Sequence, residues 1–118
     1  MRMHADIDTH PMALAVRSLR QALTQHARER LAQTGRQRPI DPLDQCRFEQ
    51  LVEIDAALSR LLAEHPRQAR VFECRWFGGL GEEQTAQALG LPSETVRRDW
   101  GMGREWLRRQ LGDTRTMH

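Results

Sequence analysis

Apolar residues recur every three or four positions along most of this chain, and no stretch alternates between apolar and polar. The periodicity predicts helices and no strands. Met12, Val16, Leu19, Leu23, Ala27 and Leu31 form the first stripe, from Pro11 to about residue 32. Proline suits that opening because its missing N–H has no partner to lose in a first turn. Arg17, Arg20, Gln21, Gln25, His26 and Arg28 fall on the opposite, polar face. Residues 33–44, QTGRQRPIDPLD, hold one Gly, two Pro and no helical period, which reads as a linker. A further helix is expected from about Asp44, its candidate cap, to Glu64, with Phe48, Leu51, Ile54, Leu58, Leu61 and Leu62 inward. Pro66 disfavours helix at His65 and ends it. The next helix spans about Arg67 to Phe77, with Val71, Cys74 and Phe77 inward, and stops at Gly78-Gly79.

The last third is the most informative. A short helix is predicted over Glu82–Leu89, ended by Gly90. Leu91 and Pro92 turn the corner, and Ser93 is a fitting N-cap because its hydroxyl can accept from a free N–H of the first turn. Glu94 then places negative charge at the positive end of the helix dipole. In this second helix Val96, Trp100, Gly103, Leu107 and Leu111 share a core-facing stripe. Thr95, Arg97, Arg98, Gly101 and Met102 face solvent or a ligand. A short helix, a glycine-containing turn and an arginine-bearing helix describe a helix-turn-helix. There the second helix enters the DNA major groove with its N-terminal residues at the bases. Arginine fits that place because its planar fork can bond a guanine edge or a phosphate through two N–H groups. The helix alone also reads as a solvated amphipathic helix with ordinary surface arginines; the turn and the preceding helix move the reading towards DNA.

A length of 118 residues means one domain, or one domain with an appendage. Three Phe, three Trp and no Tyr leave the core mainly to Leu, Ala and Val. Net charge is only +2, and residues 45–118 hold eleven Arg against eleven Asp plus Glu, which sums to zero. Nucleic-acid-binding domains are usually clearly basic. Any basic surface here comes from clusters such as Arg97-Arg98 and Arg108-Arg109, which lowers the expected non-specific affinity. Cys46 and Cys74 lack metal or disulfide spacing, and Cys74 reads as a small buried hydrophobe. His4 and His10 lie in a polar N-terminal stretch expected to be loose, with no metal-binding spacing. No signal peptide or membrane-length apolar run is present, so the chain is expected in the cytoplasm. Catalytic groups are lacking. Glu82 and Glu83 are adjacent on a helix and diverge by about a hundred degrees, and no phosphate loop or Ser/His/Asp order stands out. Neither an enzyme nor a cofactor is expected.

With these residues in place, the chain resembles the extracytoplasmic-function (group 4) sigma factors of bacterial RNA polymerase. Three pieces carry the likeness: LSRLLAEHPRQARVFECRWFGGL, the EEQTAQALGLPSETVRRDW turn-and-helix, and GREWLRRQL. They resemble sigma region 4, and a generic helix-turn-helix would match only the middle piece. The upstream stretch looks like the tail of sigma region 2. The resemblance implies an all-α fold: an N-terminal helix in residues 1–34, a linker at 35–44, a four-helix region 4-like domain at 45–112 and a tail at 113–118. It implies reading of the −35 promoter element while bound to RNA polymerase core. The DNA-facing set it implies is Ser93, Glu94, Thr95, Arg97, Arg98, Met102 and Arg104, with Arg75 at a position that tends to touch the DNA backbone. Apolar surface on the early helices would meet a helix of the polymerase beta subunit, and an anti-sigma protein is a further implied partner. Most of region 2 is missing, so this chain is not expected to initiate transcription alone.

Four positions depart from the family pattern. Gly101 and Gly103 stand where a basic residue and an alanine are usual, each costing roughly 1 kcal/mol in a helix interior. Thr85 replaces Ile or Val, and Gly81 replaces a Ser/Thr cap; both are expected to loosen the first helix of the motif. Two other readings remain open on sequence grounds. One is a protein-interaction module that binds polymerase or an anti-sigma protein without reading DNA. The other is a free-standing helix-turn-helix repressor, dimerised through residues 11–32.

Overall fold

In a computed structural model the backbone is described for residues 10–33 and 41–116, and the side chains of those ranges through Gly112. The expected loose N-terminus with His4, most of the linker and the end of the tail lie outside the described residues. The fold is all-α, with no strand among the described residues. Its helices are α1 (Pro11–Gln33), α2 (Pro42–Glu64), α3 (Pro66–Phe72), α4 (Glu82–Leu89) and α5 (Ser93–Thr116). A π-helical turn, Glu73–Phe77, continues α3.

The helix ends follow local chemistry. The cap of α2 is Asp41 rather than Asp44, because its carboxylate accepts from the Leu43 N–H at 2.8 Å while Pro42 takes the first helical position. At the start of α4, Gly81 has no side chain to cap with. Half of a capping box survives, since the Gln84 side-chain oxygen accepts from the Gly81 N–H at 2.9 Å. Gly90 ends α4 in the left-handed conformation, φ 66°, and the Leu91 N–H returns to the Ala86 carbonyl at 3.0 Å. Ser93 is the first helical residue of α5 rather than its cap: the Pro92 carbonyl accepts from the Val96 N–H at 3.1 Å.

Two apolar clusters fill the interior. One joins Ala13 and Val16 of α1 to Val71, Cys74, Ala86, Leu89, Leu91 and Val96. The other joins Ala57, Leu58 and Leu61 of α2 to Ala69, Phe72, Phe77 and Leu107. Trp100 packs against both. Of the expected inward residues, Leu58, Leu61, Val71, Cys74, Phe77, Val96 and Leu107 line the core, Leu51, Ile54, Leu62 and Leu111 pack against it partly buried, and Phe48 lies outside both clusters, half-buried with its ring edge-on to His26.

The expected face of α1 is corrected. Its buried residues are Ala13, Val16, Arg20, Thr24 and Ala27. Met12, Leu19 and Leu23 lie on the surface, 46%, 42% and 38% exposed. The cause is Arg20, which the apolar pattern alone assigns to the polar side. It donates from Nε to Asp55 (2.7 Å), from Nη1 to Glu73 (2.9 Å), and from Nη2 to Ser59 Oγ (2.9 Å) and the Asp55 carbonyl (3.1 Å). Arg28 also reaches Asp55 and Arg70 reaches Glu73. Buried charges are tolerated because each meets an opposite charge and is hydrogen-bonded. This joint seats α1 on α2 and the π turn.

Candidate nucleic-acid interface

Helix α5 is held by its buried side. Val96, Gly103 and Leu107 are buried, and so is Asp99, which holds Arg67 through contacts of 2.6 and 3.3 Å. That bridge ties α5 to the first turn of α3. With this side committed to the core, the other half of the helix is left to solvent. Arg97, Arg98, Gly101 and Met102 are exposed, Glu94 is exposed, and Ser93 and Thr95 are half-buried.

Around the middle of that face lies a shallow hollow of about 490 Å³, bordered by His65, Gln68, Arg97, Arg98, Met102 and Trp106. Its floor is open at Gly101, where an added Cβ would have no heavy atom within 4 Å. Met102 projects beside it, with the Gln68 amide 3.8 Å from its sulfur. Gly103 sits on the core side, and a Cβ there would rest at ordinary contact distances from Gln68 and Leu61, 3.5 and 3.7 Å. Packing therefore requires a glycine at neither place.

The arginines of the region are in different states. Arg97 is held by Glu82 of α4, Nε to Oε1 at 3.2 Å and Nη2 to Oε2 at 2.9 Å. The hydrogen bond from Arg97 is the main cause holding the Glu82 carboxyl below its ordinary range, and the same bond raises Arg97. Arg98 has no acidic partner among the described residues. Arg75 is half-buried; its Nη1 donates to the Leu80 carbonyl at 3.3 Å and its guanidinium lies 5.0 Å from the Trp100 ring centre. Arg104 lies 5.3 Å from the same ring centre. Arg104 also borders a second, aromatic groove of about 650 Å³, with Ile54, Phe72, Trp76, Trp100 and Leu107. The structure thus gathers Arg97, Arg98 and Met102 around one hollow and turns Arg104 and Arg75 towards Trp100.

Sequence reasoning missed three of these features. Asp99 falls on the core-facing side of α5, and an acid at such a position is itself a sign that an opposite charge meets it there, as Arg67 does from a half-exposed position. The Glu82–Arg97 pair crosses the turn between two helices, so no fixed spacing reveals it. The aromatic groove depends on the π turn, which directs Trp76 outward and Phe77 inward.

Thr85 is fully buried, and its Oγ1 has no hydrogen-bond partner. Among the described residues no group of His, Cys, Asp and Glu is placed to hold a metal ion, and no helix is long and apolar enough to cross a membrane.

Comparison with known proteins places this chain in a family. The sequence profile of the ECF sigma factor family matches residues 3–113, spanning α1 and the helix-turn-helix alike. No curated protein and no solved structure matches the chain. The profile covers nearly the whole sequence, so the chain belongs to the ECF sigma factors, a non-catalytic family of transcription initiation factors that work with RNA polymerase at promoters.

Proposed function

We propose that α4 and α5 read duplex promoter DNA at a −35-type element, with α5 in the major groove. The observation that carries this reading is the split of α5. One side is locked into the core by Val96, Asp99, Gly103 and Leu107, while Arg97, Arg98, Gly101 and Met102 stay outside it. Arg97 and Arg98 would meet base edges, Met102 offers an apolar surface to a thymine methyl, and Ser93, Glu94 and Thr95 lie at the end of the helix nearest the bases. Arg75 and Arg104, turned towards Trp100, would serve the phosphates.

RNA polymerase core is the second partner of this reading. The aromatic groove of Ile54, Phe72, Trp76 and Trp100 offers the apolar surface for a helix of the beta subunit. The test of DNA reading is selection from random labelled duplexes, followed by fluorescence anisotropy at two salt concentrations. A promoter reader enriches a defined motif and loses affinity steeply as salt rises. A folded chain that enriches nothing refutes the reading.

One observation favours a further partner. Met12, Leu19 and Leu23 form an exposed stripe along α1 at helical spacing. A second copy of the chain or an anti-sigma protein would cover it. Sedimentation of the chain alone, compared with a Leu19→Glu variant, distinguishes a dimer from a monomer.

A further inference from the structure

The two carboxylate oxygens of Glu82 occupy one edge of the Arg97 guanidinium, through Nε and Nη2. That leaves Nη1 and the outer N–H of Nη2, which form the neighbouring edge of the same planar fork. Two parallel N–H groups on that edge match the O6 and N7 acceptors of guanine. The Arg97 side chain remains 67% exposed although Glu82 grips it, so the grip does not hide the free edge. The grip also crosses the motif: Glu82 is the first residue of α4, and Arg97 lies in the second turn of α5.

The charges around the pair are mixed. Arg75 lies near enough to favour the Glu82 carboxylate, and Glu94 favours the Arg97 cation. Glu82 therefore remains a carboxylate, and Arg97 keeps its second edge for a ligand.

We propose that Glu82 is a positioning residue that sets base specificity. It fixes the Arg97 fork so that its free edge reads a guanine rather than roaming among phosphates. The proposal rests on the reading of α4 and α5 as a DNA reader. Two physical consequences follow from it. An arginine pinned at one edge has already lost much of its rotational freedom, so the geometry of a two-bond contact to one base is favoured over loose contacts. A carboxylate at the DNA surface also repels phosphate, so it suppresses binding to DNA of any sequence.

The test uses the full-length chain and random-sequence duplex DNA. Selection is run with the parent chain and with Glu82→Asp, Glu82→Gln, Glu82→Ala, Arg97→Ala and the Glu82→Ala/Arg97→Ala pair. Glu82→Asp keeps the negative charge at the start of α4 but is one methylene too short to hold both nitrogens, which separates positioning from helix stability. Circular dichroism confirms that each variant is folded.

The expected result is a guanine preference at one position of the parent motif that Arg97→Ala removes. All three Glu82 replacements weaken that same preference, by roughly tenfold for Ala, within the discrimination that a two-bond arginine–guanine contact provides. Affinity for random DNA holds or rises in Glu82→Ala, and the double variant loses no more discrimination than Arg97→Ala. If Glu82→Ala and Glu82→Asp leave that preference intact, the proposal is wrong while DNA reading stands. The proposal also fails if the losses in the double variant add. A parent chain that enriches no motif overturns DNA reading itself, and the proposal with it.

Discussion

Replacement of Arg20 by methionine tests the joint between α1 and the rest of the fold. Methionine keeps an apolar stem beside Val16 and Phe77 but removes the guanidinium and its four hydrogen bonds to Asp55, Glu73 and Ser59. Removing one partner of a buried ion pair costs about 3–5 kcal/mol, mostly because the other charge stays buried without its counter-charge. Neither acid is abandoned here: Arg28 remains 3.3 Å from Asp55, and Arg70 remains 3.0 Å from Glu73. The loss should therefore fall at the low end, about 3 kcal/mol, still a large share of the roughly 5–15 kcal/mol that holds a typical domain folded. Urea denaturation followed by circular dichroism measures it. A lower midpoint with unchanged slope means that the whole fold is weakened; a reduced slope means that α1 has already left the native structure. Arg20→Lys should lose less, since one ammonium keeps the charge but cannot reach both carboxylates, the hydroxyl and the carbonyl at once. A loss under about 1 kcal/mol for Arg20→Met would show that the joint contributes no more than an exposed ion pair does.

Four further outcomes are expected. Thr85→Val should raise stability by about 1 kcal/mol, because it replaces a buried hydroxyl without a partner by a methyl group of similar size; an unchanged or lower melting temperature would refute this. Gly101→Ala should also stabilise by about 1 kcal/mol, since the new Cβ enters open space in a helix interior, as a thermal melt would show. Burial pushes the Cys74 thiol up to about 12 from an ordinary 9.0, so a thiol reagent at neutral pH should label Cys46 alone until the chain unfolds. For the same group, stability should be level below pH 9 and fall as pH climbs towards 12, because the unfolded chain then releases its proton first.

Much of the fold was legible because the strongest signals were local. Pro11, Pro66, Gly90 and the Gly78-Gly79 pair punctuate the chain through backbone constraints that act at their own position. The core side of α5 followed from a long, regular stripe. Helix α1 is the exception, because two stripes run along it, sharing Val16 and Ala27. Counting apolar residues selects the one with Leu19 and Leu23. Burial of Arg20 depends on acids 35 and 53 positions away, which no local window contains. The exposed face of α5 could be read from spacing, whereas the grip of Glu82 on Arg97 appears only when α4 is folded back against it. The sequence also marks Gly101 and Gly103 as departures without revealing that the structure leaves open space at Gly101 and room for a methyl group at Gly103.

The π turn bears on how this protein can change over generations. Its bonding takes one more residue per step than an α-helix, and the Gly78 N–H returns to the Glu73 carbonyl at 3.1 Å. Phe72 and Phe77, five positions apart, consequently enter the same apolar cluster, and Trp76 is left at the rim of the aromatic groove. Loss of one codon between Phe72 and Trp76 would restore α-helical bonding and set the phenylalanine four positions after Phe72, still on the inward face. The π turn is thus a place where the chain can lose one residue while the elements before and after it keep the faces they turn to the core.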